Sequence, residues 1–227
     1  IKDVAEIQVP DTIEGIIAAR MDRLEDPIKR TLQVASVIGR DFPYRILETI
    51  TEMKQGLKSY LLNLQDLEFI YEKSLFPELE YVFKHALTRE VAYNSLLQQR
   101  RKEIHEKIGR ALEAHYPERL EEFYEMLAYH YSKSGETAKA YQYLKLSGEK
   151  ATKKFSNWEA FQFYKTACSI LDKMKDSPET KKKKLKILHL MAIPMQLLGY
   201  PEDSLQFLKL GESLAKKLGD AKMLSLF

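Results

Sequence analysis

The apolar and polar positions of the chain change period within one stretch, residues 79–97, LEYVFKHALTREVAYNSLL. Leu79, Tyr81 and Phe83 alternate with Glu78, Glu80 and Lys84, the period of a half-buried strand. Beyond His85 the apolar residues Leu87, Val91, Ala92 and Leu96 recur every three or four positions, the period of a helix. His85 stands at the turnover, where the first N–H groups of a helix lack helical partners and anions are favoured.

Upstream, Ile13, Ile16, Ile17, Met21 and Leu24 form one apolar stripe, with Asp11 and Glu14 spaced as a reciprocal cap. A second helix is predicted to open at Asp26-Pro27, carry Ile28, Leu32, Ala35 and Ile38, and stop at Gly39. A short helix over residues 43–51 and another over 55–67, striped by Leu57, Leu61, Leu64 and Leu67, complete the set. Residues 68–73 then read as a strand, 74–77 as a turn and 79–84 as the return strand. Three or four helices followed by a β-hairpin form the pattern of a winged helix, with the hairpin as wing and the helix from Gln55 in the recognition position.

Downstream the pattern is helical throughout. Residues 88–115 are predicted helical with a break near 98–101, and Tyr116-Pro117 ends them. Leu120, Phe123, Tyr124, Leu127, Ala128 and Tyr131 stripe the next helix, which Gly135 stops. Ala140, Tyr141, Leu144, Gly148 and Ala151 stripe another, and Ala160, Phe161, Tyr164, Ala167 and Leu171 a third. Residues 181–198 and 202–218 form an antiparallel pair joined by Gly199-Tyr200-Pro201, with Pro194 expected to kink the first. Small residues where helices approach, with aromatics between them, follow tetratricopeptide-like logic, in about three degenerate repeats. The expected fold is therefore mainly α: a winged-helix-like domain with one β-hairpin over residues 1–116, followed by a tetratricopeptide-like helical solenoid over 117–227, a truncated array.

Composition narrows the chemistry. Of 227 residues, 44% are hydrophobic and 30% charged, enough to bury a core. The net charge of +3 is too mild to argue for nucleic acid on its own. Cys168 is the only cysteine, which removes internal disulfides and cysteine-based zinc sites; it reads as a small buried hydrophobe, and a cytoplasmic setting is the natural expectation. No apolar run approaches the length of a membrane span, and no secretory signal is seen. The chain begins at Ile1 and ends in AKMLSLF, and is expected to be a fragment of a longer protein.

No catalytic constellation emerges. There is no GxxxxGK[ST] phosphate loop, no GxSxG and no HExxH. The histidines, at positions 85, 105, 115, 130 and 189, are scattered without metal-ligand spacing. Four lysines at 181–184 point all round a helix and cannot form one face. Trp158 and the tyrosines read as interhelical packing, with a groove anchor as the alternative. The recognition-position helix offers Lys54, Gln55, Lys58, Ser59, Asn63, Gln65 and Asp66, without arginine, which disfavours a DNA-binding regulator.

At VPDTIEGIIAARMDRL, LQVASVIGRDF, FIYE, LEYVFKHALTREVAYNSLLQQRRKEIHEKIG and LAYHYSKSGETAKAYQYL the chain resembles bacterial STAND-class predicted ATPases, in the part C-terminal to their nucleotide-binding module. The resemblance covers about residues 9–150. Many such proteins are fused to adenylate/guanylate cyclase domains. The resemblance implies a signalling parent that binds ATP or ADP with Mg, with a P-loop module upstream that the winged helix contacts in cis. It also implies helical repeats that bind a protein or peptide partner, and no membrane contact. The fragment itself is expected to hold no cofactor and to be no enzyme. A STAND winged-helix histidine, in a Met-His-Asp-type motif, holds the β-phosphate of ADP; the matching stretch here is Phe83-Lys84-His85-Ala86, with neither the Met nor the Asp. His85, with Lys84 beside it, is thus a candidate nucleotide sensor, and a histidine that caps or packs at the junction is the other reading.

Overall fold

The computed structural model describes residues 11–51 and 56–225. The protein is mainly helical, with twelve α-helices and one three-stranded antiparallel sheet among the described residues. It divides after His115 into two compact units.

In the first unit, α1 (Asp11–Asp22) is followed by α2 (Asp26–Ile38), β1 (Asp41–Pro43), α3 (Tyr44–Thr51) and α4 (Leu57–Asp66). Then come β2 (Ile70–Ser74), β3 (Glu80–Phe83), α5 (Ala86–Asn94) and α6 (Gln98–His115). Helix α2 is the hub, packing against α3, α4, α5 and α6. Its Ile28, Leu32, Ala35, Val37 and Ile38 are buried. Two polar side chains go inside with them, and each bonds to a carbonyl of its own helix: Thr31 Oγ1 donates to Pro27 O at 2.8 Å and Ser36 Oγ to Gln33 O at 2.6 Å. The Arg89 guanidinium ties α5 to α2 by donating to Ser36 O at 3.0 Å.

The sheet order is β1-β3-β2. The expected hairpin is present, but β3 is its centre, because β1 pairs on its other side with Phe42 opposite Tyr81. That edge strand was not predicted. It is three residues long and ends in Pro43, whose missing N–H is tolerated on an edge. Phe42, Tyr81 and Phe83 form its buried aromatic cluster, with ring centroids 5.6–5.8 Å apart. At this burial each large apolar side chain contributes about 1.5–3 kcal/mol.

Several predicted boundaries move. The strand expected from Glu68 begins at Ile70, because Glu68 belongs to the end of α4. Glu68 is left-handed, φ 59°, and its N–H donates to Gln65 O while that of Phe69 donates to Leu64 O. This is a Schellman closure, with glutamate in the position glycine usually takes. The helix break lies at residues 95–97 rather than 98–101. Helix α2 starts at Asp26 itself, with Glu25 in the cap position and no side-chain cap bond. The α1 stripe is not buried as a whole: Met21 is inside, but Ile13 and Ile16 are exposed. The Asp11 cap, Lys54 and Gln55 lie outside the described residues or side chains.

The second unit opens with a 3-10 turn over Pro117–Phe123, where the first stripe was expected to be α-helical. Then follow α7 (Tyr124–Ser134), α8 (Thr137–Lys153), α9 (Asn157–Asp172), α10 (Pro178–Leu197), α11 (Ser204–Leu218) and the short α12 (Ala221–Leu224). Each packs chiefly on its neighbours in sequence. Gly135 ends α7 in the left-handed conformation, φ 99°. Ser177 caps α10 by accepting from Thr180 N at 3.1 Å, and Pro178 sits in the first turn. Helix α10 runs through the buried Pro194 to Leu197. Tyr131 and Tyr143 stack across α7 and α8 at 5.7 Å and 7°. Helices α8 and α9 approach closely at Gly148, where an added Cβ would clash with the Tyr164 ring. No helix among the described residues is long and apolar enough to cross a membrane.

Gly148→Ala is therefore expected to destabilise the second unit by about 1–3 kcal/mol despite alanine's better helix propensity, because the Tyr164 ring is buried and must move. Urea denaturation checks this, and Gly148→Ala combined with Tyr164→Leu should recover part of the loss. Phe155, left-handed at φ 59° and 83% exposed, offers the opposite case. Phe155→Gly removes a Cβ penalty without emptying a core, and the same melts should show a gain of roughly 0.5–1 kcal/mol.

Candidate functional site

The strand–helix junction predicted from the sequence is where β3 ends and α5 begins. His85 occupies the N-cap position of α5 with extended backbone, φ −128° and ψ 137°, and its side chain is exposed. Its carbonyl accepts from Thr88 N at 3.1 Å and Arg89 N at 3.4 Å. Its imidazole makes no cap bond. The first N–H groups of α5 have no partner within the helix, so the junction has the polarity that favours an anion.

Lys84 is not similarly open. Its backbone N–H donates to Phe69 O at 3.0 Å, closing β3 against the end of α4. Its ammonium pairs with Glu68 at 3.0 Å and lies over the Tyr71 ring, 5.3 Å from the centroid. The Tyr71 phenol and then the Glu68 carboxylate hold Lys84 above its ordinary pKa. Reciprocally, the Lys84 side chain holds the Glu68 carboxyl below the usual glutamate range, with smaller contributions from Arg20 and His85. Arg20 of α1 completes the group, donating to Leu67 O at 2.8 Å and lying over Phe69 at 4.8 Å. The junction therefore contains two cations, an imidazole and one carboxylate. Any anion brought to this junction would compete with Glu68 for Lys84.

Sequence reasoning found His85 and Lys84 as neighbours at a turn, and missed Glu68, Tyr71 and Arg20. The helix-ending bonds of Glu68 left no mark in the apolar pattern, and Arg20 comes from another helix.

The remaining candidates resolve into packing or solvent. His105 is buried, with Nε2 3.2 Å from the Tyr93 hydroxyl, and His130 is buried against Tyr129. His115 Nε2 lies 2.7 Å from Thr49 Oγ1. No group of three or more potential metal ligands occurs among the described residues. Cys168 is buried, and burial pushes its thiol up to about 12, the behaviour of an inert packing residue. The lysine run disperses as its helical spacing requires: Lys181 pairs with Asp176 at 3.0 Å, Lys183 with Glu179 at 2.6 Å and Lys184 with Asp172. Trp158 departs from the packing expectation. It stands in the first turn of α9, 55% exposed, with one ring contact to Phe161. The exposed face of α4 shows Lys58, Ser59, Leu62, Asn63 and Asp66, one cation and one carboxylate.

Neither protein-family models, nor curated proteins, nor solved structures show a match to this chain.

The Glu68–Lys84 pair sets a pH window. A carboxyl with a lowered folded pKa stabilises above its unfolded pKa and loses that contribution as pH falls through the folded value. A lysine with a raised folded pKa loses its contribution as pH rises through that value. Wild type and Glu68→Gln should thus differ in urea midpoint at neutral pH and converge in acid, below the ordinary glutamate range. They should converge again in strong alkali, above the ordinary lysine range, and the neutral difference should shrink in high salt. A difference independent of pH would assign the effect to the α4 turn instead.

Proposed function

We propose that this chain is a non-catalytic regulatory segment of a multidomain signalling ATPase, of the kind fused to adenylate/guanylate cyclase domains. In this reading the first unit is winged-helix-like and relays the nucleotide state of an upstream ATPase module. The second is a tetratricopeptide-like array that binds a protein or peptide partner. ATP or ADP, with Mg, belongs to the parent protein. The observation that carries the reading is the junction itself: an exposed imidazole at the N-terminus of α5, beside a lysine held in reserve by a carboxylate.

Two features support the second half. Helices that bury their stripes against sequence neighbours form an extendable stack, and such stacks offer long surfaces to partners. The α8–α9 turn places Phe155 and Trp158 outward, and Phe155 holds a left-handed backbone that an aromatic residue adopts at a cost. An aromatic residue held outside the core at such a cost, with Trp158 exposed nearby, suits an interface.

The relay would be bistable. With ADP bound, His85 and the free α5 N–H groups hold the β-phosphate and the winged helix stays against the ATPase module; without that contact a second packing is favoured. One charge-assisted hydrogen bond is worth about 1.5–3 kcal/mol. His85→Ala in the intact parent protein should therefore speed ADP release roughly tenfold to a hundredfold at unchanged melting temperature. Equal off-rates would reduce His85 to a junction residue. The chain by itself, supplied with Mg²⁺ and ATP, should show no hydrolysis or cyclisation above buffer. Turnover that scales with protein concentration through repurification would overturn the non-catalytic reading.

A further inference from the structure

The first unit contains a cleft of about 440 Å³ that the proposed relay does not use. Its lining comes from α2, the end of α3, the α5–α6 connection and α6. Helix α2 supplies Arg30, Gln33 and Val34, which at spacings of three and four share one helix face. Helix α6 supplies Arg100, Ile104 and Lys107, again on one face. Ile50, Thr51 and Leu96 complete the lining. Among the described residues the lining thus has three cations, four aliphatic side chains and no carboxylate.

Three like charges around one cleft raise its potential and favour an anion. Arg30 is exposed and has no ion pair among the described residues. Arg100 pairs with Glu103 at 3.0 Å, an exposed contact one turn along the helix that is worth little in water and is easily exchanged. Guanidinium groups bind carboxylate and phosphate through paired N–H donors. The floor is of a different kind. Val34, Ile50, Leu96 and Ile104 are aliphatic, and the described lining has no aromatic ring to stack on a nucleobase. A cleft of this volume is of the size that encloses small ligands.

We propose that this cleft binds a small organic anion that joins a phosphate or carboxylate head group to an aliphatic body, the head group against Arg30, Arg100 and Lys107 and the body against the aliphatic floor. The site is independent of the His85 junction and would give the first unit a second, chemically distinct input.

The test is calorimetric titration of the full chain with hexyl phosphate, hexanoate and inorganic phosphate. At least one of the two hexyl ligands is expected to saturate, at least tenfold more tightly than inorganic phosphate. Tighter binding of hexyl phosphate assigns a phosphate head group, and tighter hexanoate a carboxylate. Arg30→Glu with Arg100→Glu should weaken the preferred ligand at least tenfold, whereas Lys102→Glu, an exposed cation of α6 outside the cleft, should leave it unchanged. If the double reversal lowers the melting temperature, Arg30→Gln with Arg100→Gln removes the charge while keeping the bulk, and should show the same loss. Failure of both hexyl ligands to saturate, equal affinity for inorganic phosphate, or binding indifferent to the arginine substitutions would each overturn the proposal.

Discussion

An amphipathic helix cannot bury its own apolar stripe, and both units are solutions to that constraint. In the second unit the sequence neighbour supplies the cover. Close approach then becomes the limiting quantity, which is why small residues such as Ala140, Gly148, Ala160 and Ala167 are buried where helices meet. At Gly148 the Tyr164 ring lies too close to admit a Cβ. In the first unit the cover comes from α2, on which four other helices converge. Its two buried polar residues, Thr31 and Ser36, bond to carbonyls of their own helix, so that they pack without unpaired hydroxyls.

The sheet answers the same constraint. A two-stranded hairpin is marginal in water. Adding β1 makes β3 a central strand and gives Tyr81 and Phe83 an aromatic partner in Phe42. Because β3 is pinned on both edges, the position of His85 immediately beyond it is fixed by backbone bonds rather than by its own side chain. That separation leaves the imidazole exposed at a junction held by backbone bonds, which is what the proposed sensing role would require.

Electrostatics at the junction is a balance among few charges. Lys84 is shared between Tyr71 and Glu68, and Glu68 also feels Arg20 and His85. A ligand phosphate would enter this balance as a second anion. The cleft lined by Arg30, Arg100 and Lys107 is built differently, with no carboxylate among its described lining residues and an aliphatic floor. One unit thus presents two cationic surfaces of unlike chemistry, one beside a helix N-terminus and one between helices.

The sequence by itself determined most helices, since a period of three and four over ten or more residues has few other solutions. It also determined the hairpin and the strand-to-helix change at His85, where period two gives way to that spacing. What it left open was decided by contacts between distant residues. Asp41–Pro43 is too short to carry a period, and it is a strand only because β3 offers it partners. Glu68 reads as strand by composition, yet ends a helix because the Leu64 and Gln65 carbonyls take the N–H groups that follow. Ile13 and Ile16 have the spacing of a buried stripe and remain exposed. Of the three cations of the cleft, Arg100 and Lys107 share one face of α6, but Arg30 comes from α2, and nothing local to α2 announces them. Periodicity records which way a side chain faces along its own element; only the tertiary structure decides what stands opposite it.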